Sequence, residues 1–512
     1  MKKYRLEVYV FFLILLLVAF NIIWLKIDIR PPHWDFAIHL INTLSYLDFL
    51  RNIDFKNLLF GYFYYPPFVY YLTSFTFLIF AIHEDIAVLS LTPFLIILIY
   101  FTFKLGKLFY GKKTGLLSVV GLIGMSFLMS LTREYLLDFP LTAMVVMNAY
   151  FFFRSRFFTD KKYSLLFAIG SGLGMLTKWT YVIFLAGAIF LFILDFIRSR
   201  HAEKLVNFAL MLIILFYIAG PWYMGNLTNI KNDLVGNVEI AITEGDPPIN
   251  TSASIFYYAN SLYLDHLRFP YLILFLIGTI FFVLNLSKDR RLALIFFFIL
   301  LQIFFMTFYK NKDPRFIVPI TPFLAIITSF WIFKIRDKII RYMTIILLLL
   351  IAAFNYSTSA FGLRQIPDVL EYQVLKFPIL VYKQRGHTLT PASRENWHVK
   401  DIVQTIENDI NSDNIGDKDK NILLVLQSDK MFFNMNNFEF YIKLYLQNRV
   451  NIKTIFLKNL RNENISLKPP EYIIINPVTV SLMYSYFNLL KEYKKIREYD
   501  LPDRSKVVLL SK

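Results

Sequence analysis

Long apolar runs recur along roughly the first 355 residues, broken by short segments rich in Lys and Arg. Runs such as VYVFFLILLLVAFNIIWL (8–25) and MTIILLLLIAAF (343–354) are too long and too uniformly apolar for ordinary core helices. Apolar segments at 8–26, 86–103, 115–131, 139–153, 163–177, 180–197, 205–221, 269–286, 292–308, 316–333 and 339–355 predict roughly eleven membrane-spanning helices. The first ends in FNIIWLKIDIR, without a small-residue cleavage site, and is expected to be retained as a span.

The polar segments orient these spans. MKKYR precedes the first, and later basic loops fall at 104–113, 154–162, 198–204, 287–291 and 334–341. Lys and Arg concentrate in cytoplasmic loops, so the N-terminus and all five loops are expected on that side. One apolar segment, YPPFVYYLTSFTFLIFAI (65–82), conflicts with this parity if it spans. It is therefore expected to be re-entrant or interfacial, opened by Pro66 and Pro67. Residues 27–85 then form one long external loop and 222–268 another, and the segments 131–139, 176–180 and 309–315 also face outward.

After about residue 356 the pattern changes. Apolar runs shorten to strand length at 421–426, 452–457, 472–476 and 506–511, with helical patterns at 438–448 and 480–499 between them. This alternation predicts a small extracytoplasmic α/β domain over 356–512 with a largely parallel sheet, accessory to a membrane domain over 1–355. It contains no phosphate loop and no GxGxxG.

Composition sharpens the class. Of 512 residues 56% are hydrophobic, and mean hydropathy is +0.50, above the range of soluble domains. The net charge of +17 does not point to nucleic acid, because the cations sit in short loops where they set topology and meet anionic lipid heads. With no cysteine, thiolate metal sites and cysteine nucleophiles are excluded.

Charged residues gather at the expected outer mouth of the helices: Asp35, Arg133, Glu134, Asp138, Lys178, Lys310, Lys312 and Arg315. Each has a structural alternative. Asp138 suits the start of a proline-led helix, and Asp35 suits the start of an interfacial one. Arg133 could pair with Glu134 or snorkel, and Lys178 could anchor an interface. His33, His39 and His83 fit interfacial polar positions better than metal ligands. The loop YKNKDPR (309–315) resists such readings, because three cations in one short external loop oppose the positive-inside bias. Anion binding is a reason for that exception. Carboxylates to remove a proton, with cations to hold a phosphate at the outer lipid–water boundary, suit transfer from a lipid-linked glycosyl phosphate.

Five stretches then resemble one family: WDFAIHL with YYPPFVYYL in the first external loop, TREYLLDFPL in the second, GSGLGMLTKWTYVIF with Lys178 within it, GPWYMGN (220–226), and KDPRFIVPITPFLAI. Together they resemble the C-type (GT-C) glycosyltransferases of the protein O-mannosyltransferase and lipid A aminoarabinose transferase family, glycosyltransferase family 39. The resemblance covers about residues 1–355. It implies a polytopic α-helical membrane enzyme, an undecaprenyl- or dolichyl-phosphate sugar donor, inversion at the anomeric carbon, and interfacial helices in the first loop. It matches Asp35 to the catalytic acidic position of the first loop, Asp138 to the second-loop aspartate, and Lys178 and Arg315 to basic positions at the outer face. Phe36 follows Asp35 where many members carry Asp-Glu, so divalent-metal binding stays open.

The expected function is thus an extracytoplasmic glycosyltransferase with Asp35 as general base, Asp138 assisting, and Lys178, Arg315 and Lys312 on the donor phosphate. Glu134 and Arg133 are secondary candidates. The acceptor is a lipid, a protein or a polysaccharide. A lipid-linked saccharide flippase and a non-catalytic envelope assembly subunit are the alternatives. A flippase predicts charges within the spans and internal repeats, and the spans here carry few charges away from the outer mouth.

Overall fold

The computed structural model describes residues 5–268, 271–285, 290–362, 369–374, 377–383, 390–412, 420–446, 450–456, 470–476 and 492–512. It divides into two compact units. One comprises Met1–Trp24 and Tyr46–Pro391; the other comprises Leu25–Ser45 and Ala392–Lys512. The expected boundary at 355/356 differs from this division in two places, since residues 25–45 of the first external loop group with the C-terminal unit and the larger unit runs on to Pro391.

The larger unit is helical. Among the described residues, seven helices are long and apolar enough to cross a membrane, or eight if a pair bent by 119°, Tyr257–Leu267 and Tyr271–Asn285, is one span. The protein is therefore an integral membrane protein. The other expected spans coincide with shorter helices. Residues 115–131 divide into Lys112–Ile123 and Ser126–Leu131. Asp138–Arg154 and Lys161–Thr177 have 17 residues each, about 25 Å of helix. The segment Pro314–Lys334 is the central one, with 89% of its apolar window buried, whereas Ala202–Glu244 turns most of its surface outward, with 22% buried.

The diproline segment forms a short helix. Phe68–Ile79 is a 12-residue apolar helix, about 18 Å long, too short for a hydrocarbon core of about 30 Å.

The external loop expected over 222–268 is a correction. Residues 222–244, expected as loop, continue the 205–221 span as one helix, Ala202–Glu244, of 43 residues with Pro221 inside it. At about 65 Å it is twice as long as a bilayer core. Its extension carries no apolar stripe because its buried side is polar and binds backbone. Trp222 Nε1 donates to Gly61 O at 3.1 Å and Asn226 Nδ2 to Phe60 O at 3.2 Å. Tyr62 donates to Asp233, and Tyr64 and Asn237 bond side chain to side chain at 2.8 Å. Residues 60–64 thus lie along the extended helix, and Tyr64 takes a left-handed backbone at φ 66°.

Two strands of this unit, β1 (Val369–Val374) and β2 (Phe377–Lys383), pair antiparallel. The C-terminal unit contains β3 (Lys420–Leu426), β4 (Val450–Phe456), β5 (Tyr472–Asn476), β6 (Lys494–Asp500) and β7 (Lys506–Ser511), in the order β4-β3-β5-β7-β6. β3 lies parallel to both β4 and β5, while β7 is antiparallel to β5 and β6. The continuous apolar runs ILLVL and YIIIN are buried on both faces, as central strands require. The expected strands are present and the 438–448 helix runs Met435–Tyr445. Of the expected 480–499 helix, residues 480–491 lie outside the described residues. Residues 494–500 are strand instead, because a hairpin closed by Leu501 N donating to Ser505 O gives KKIREYD a ladder partner that outweighs its helical propensity.

Candidate active site

The larger unit brings together residues far apart in sequence. Asp138 stands in the first turn of Asp138–Arg154, and Lys178 ends Lys161–Thr177 in an extended conformation. Lys178 Nζ donates to Asp138 Oδ1 at 2.7 Å, and each side chain is only 5% exposed. The same ammonium lies 5.1 Å from the centre of the Tyr65 ring and 5.7 Å from that of Phe316. Asp138 therefore faces a lysine; no side chain caps that helix by hydrogen bond.

Local packing explains the pairing. Asn148 Nδ2 donates to Tyr181 OH at 2.7 Å, and Ser171 lies 3.2 Å from the same hydroxyl. Tyr181 is three residues beyond Lys178, so this buried network fastens the lysine's turn to the aspartate's helix. The glycines of GSGLG make room for it. A Cβ on Gly170 would come 2.2 Å from Asn148 Oδ1, and one on Gly174 would come 2.5 Å from the Tyr181 ring. This is close helix approach through small residues.

Phe316 brings in the cationic loop. Asp313 Oδ1 accepts the Arg315 peptide N–H at 2.7 Å and caps the turn Pro314–Ile320. Its Oδ2 accepts Arg315 Nε at 2.8 Å and pairs with the guanidinium at 2.6 Å. The Arg315 side chain keeps 19% exposure, so a partly accessible guanidinium is held by one aspartate, and the next residue packs on Lys178.

Lys312 is placed otherwise than expected. Its ammonium is buried and donates to Met306 O, Thr307 O and Tyr309 O at 3.0, 2.6 and 2.6 Å. It caps the C-terminal end of Arg290–Thr307, where a cation matches both the open carbonyls and the helix dipole. Its peptide N–H donates to Asp246 Oδ2 at 2.7 Å. Burial pushes the Lys312 ammonium down to about 8, against the opposing pull of Asp246. Burial also raises the Asp246 carboxyl, with the Lys312 peptide N–H working against it.

Arg133 and Glu134 are both buried. The Arg133 guanidinium lies 5.4 Å from the Trp24 ring centre and 5.8 Å from that of Tyr356, a cation–π setting that ties three segments of the helical unit. Asp35 belongs to the other unit, half-buried in the first turn of Trp34–Arg51. His33 and His39 are buried, and His83 Nδ1 accepts the Asp85 peptide N–H at 3.1 Å as a helix cap. Among the described residues, no group of three or more His, Asp or Glu is placed to hold a metal ion.

Sequence reasoning missed Tyr64, Tyr65, Asn237 and Phe316. The one available signal was the tyrosine-rich GYFYYPP, a polar-aromatic run where an interfacial helix begins.

Comparison with known proteins agrees with this architecture. Residues 65–224 match the family model described as dolichyl-phosphate-mannose-protein mannosyltransferase, a stretch that includes Tyr65, Asp138 and Lys178. An uncharacterized protein of Aquifex aeolicus (strain VF5) is 25% identical over 292 residues, covering 55% of this chain and 56% of that relative. The chain thus spans little more than half of that relative's length. ArnT from Cupriavidus metallidurans shares the fold with a TM-score of 0.60 when bound to undecaprenyl phosphate, at 13% identity, over 99% of this chain and 98% of ArnT. Its apo form gives 0.59 at 12% identity, over 100% and 98%. The Archaeoglobus fulgidus oligosaccharyltransferase gives 0.54 at 10% identity, over 99% of this chain and 74% of that one. The chain thus shares the fold of ArnT and of the archaeal oligosaccharyltransferase, and its residues 65–224 match the dolichyl-phosphate-mannose-protein mannosyltransferase family model.

Proposed function

We propose that this protein is an integral-membrane glycosyltransferase. It takes a sugar from a polyprenyl-phosphate carrier and passes it to an acceptor hydroxyl or amine on the extracytoplasmic side, with inversion. The observation that carries the reading is the Lys178 cluster. A buried lysine, held by Asp138 and packed against Tyr65 and Phe316, adjoins the turn that orients Arg315. Most of this cluster lies inside the stretch that matches the family model. The ArnT structure bound to undecaprenyl phosphate supports the carrier class.

Asp35 is the general base. It takes the acceptor's proton as the acceptor heteroatom attacks the anomeric carbon from the face opposite the phosphate. The anomeric carbon–oxygen bond breaks, and its electron pair leaves on the polyprenyl phosphate. Arg315, whose planar guanidinium can bind two phosphate oxygens, and Lys178, a point charge, stabilise the developing anion. Asp138 holds the Lys178 ammonium in place. Lys312 serves its helix end.

The test is transfer by purified protein in nanodiscs given a set of polyprenyl-phosphate sugars, with the anomeric configuration of the product read by NMR. The reading expects product of inverted configuration from at least one donor. Retention of configuration would overturn the direct-displacement mechanism, and carrier flipping without transfer would favour a flippase.

A further inference from the structure

Residues 28–45, which lead into and begin the Asp35 helix Trp34–Arg51, are bonded to residues 393–443 within the C-terminal unit. Ile29 N donates to Ser393 O at 3.0 Å, and Ser393 N donates to Asp28 Oδ1 at 2.9 Å. Asn437 Nδ2 donates to the carbonyl of Pro32. Trp34 Nε1 donates to Asp429 Oδ2 at 3.0 Å. Farther along, Lys443 Nζ donates to Ser45 Oγ at 2.6 Å. The Arg30 guanidinium lies 5.0 Å from the Phe432 ring centre. Two side chains of Met435–Tyr445 hold the segment at both ends, Asn437 at Pro32 and Lys443 at Ser45.

We propose that the C-terminal α/β unit is a positioning element for Asp35, acting through Asn437 and Asp429. The proposal rests on the reading of Asp35 as general base. A general base gives its rate only when held within a fraction of an ångström of the proton it removes, and a misplacement of about 1 Å can cost about a hundredfold. Asp35 is one residue from Trp34 and three from Pro32, in the first turn of its helix, where an untethered end would fray.

Asn437 shows how the tether is built. The side chain is fully buried. Its Oδ1 accepts the Asn434 peptide N–H at 2.8 Å, and its own peptide N–H donates to Asn434 Oδ1 at 3.2 Å, forming a capping box. The side-chain amide nitrogen donates to Pro32 O. One residue therefore closes the start of one helix with its oxygen and holds the lead-in of the next with its nitrogen. An aspartate there would keep the capping oxygen, favour the helix N-terminus, and lose the donor to Pro32.

The experiment uses the full-length protein in nanodiscs with a polyprenyl-phosphate sugar that it turns over. Asn437→Asp should lower kcat about tenfold or more while leaving the KM for donor within about twofold. Hydrogen exchange should quicken over residues 30–45 and stay unchanged in β3, β5 and β7. Trp34→Phe and Asp429→Ala should each lower kcat about three- to tenfold, and the double variant no further, because both remove the same bond. Asp429→Asn keeps an acceptor oxygen and should restore most of the rate. Wild-type kcat and unchanged exchange in Asn437→Asp would overturn the proposal, as would multiplicative losses in the double variant. A normal rate in Asp35→Asn would remove the base reading and this proposal with it. An inactive Asp35→Asn beside an unimpaired Asn437→Asp would remove the proposal alone.

Discussion

Lys178 and Asp138, forty residues apart in sequence, form a buried ion pair at 2.7 Å with the Tyr65 and Phe316 rings beside the ammonium. A buried charge that loses its partner is costly, about 3–5 kcal/mol. Lys178→Met and Asp138→Leu should each destabilise the protein by an amount of that order and abolish transfer. The double variant should regain much of the stability, because no charge is left stranded, and none of the activity. Thermal unfolding in detergent alongside transfer rates separates the two effects. Wild-type stability in all three variants would show that the pair contributes nothing to the fold.

Arg315 gives a graded prediction. A charge-assisted hydrogen bond contributes about 1.5–3 kcal/mol, so Arg315→Ala should cost about tenfold or more in donor affinity or turnover. Arg315→Lys should recover part of this, since an ammonium keeps the charge and loses the planar fork. Donor titration with transfer rates for both variants measures it. Unchanged values in Arg315→Ala would reduce the loop to an anchor.

Lys312 predicts a pH dependence. Its ammonium is held at about 8 in the folded protein against an ordinary value of 10.5. The unfolded chain therefore binds the proton more tightly, and between these values stability rises with pH. The contribution is complete above the ordinary value and is lost as pH falls through about 8. The difference in stability between wild type and Lys312→Met should grow in favour of wild type from pH 8 to 10.5. Parallel curves across that window would contradict it. Because the side chain caps a helix end, donor affinity should fall less in Lys312→Met than in Arg315→Ala.

Topology can be tested cleanly because the chain has no cysteine. Single cysteines at Lys113 and Lys161 should react with impermeant maleimide only from the cytoplasmic side, and one at Thr243 only from outside. Labelling of Lys113→Cys and Lys161→Cys from outside would place Phe68–Ile79 across the membrane and invert every later assignment.

The apolar runs were legible because a lipid-facing helix is uniformly hydrophobic, and the central strands ILLVL and YIIIN because a strand buried on both faces is too. Asp138 and Lys178 were legible singly, as charges beside apolar runs. Their pairing was not, since it depends on how Asn148, Tyr181 and the glycines at 170 and 174 let two helices meet. The helical continuation through 222–244 was hidden because its buried face is built of Trp222, Asn226 and Asn237 bound to residues 60–64, with no apolar period to read. Lys312 looked like an anion ligand because a cation in a loop has the same spelling whether it meets a phosphate or three carbonyls. The attachment of residues 25–45 to the C-terminal unit rests on side-chain bonds across some four hundred residues, which no local pattern contains.

Asp35 decides the account. The measurement is single-turnover transfer from a polyprenyl-phosphate sugar by wild type and Asp35→Asn, purified in nanodiscs, with donor binding followed separately. An amide is nearly isosteric with the carboxylate and cannot take up the acceptor's proton in its place. The account predicts that donor binding persists while the rate falls by about 10²–10⁴. Near-normal turnover in Asp35→Asn would contradict it.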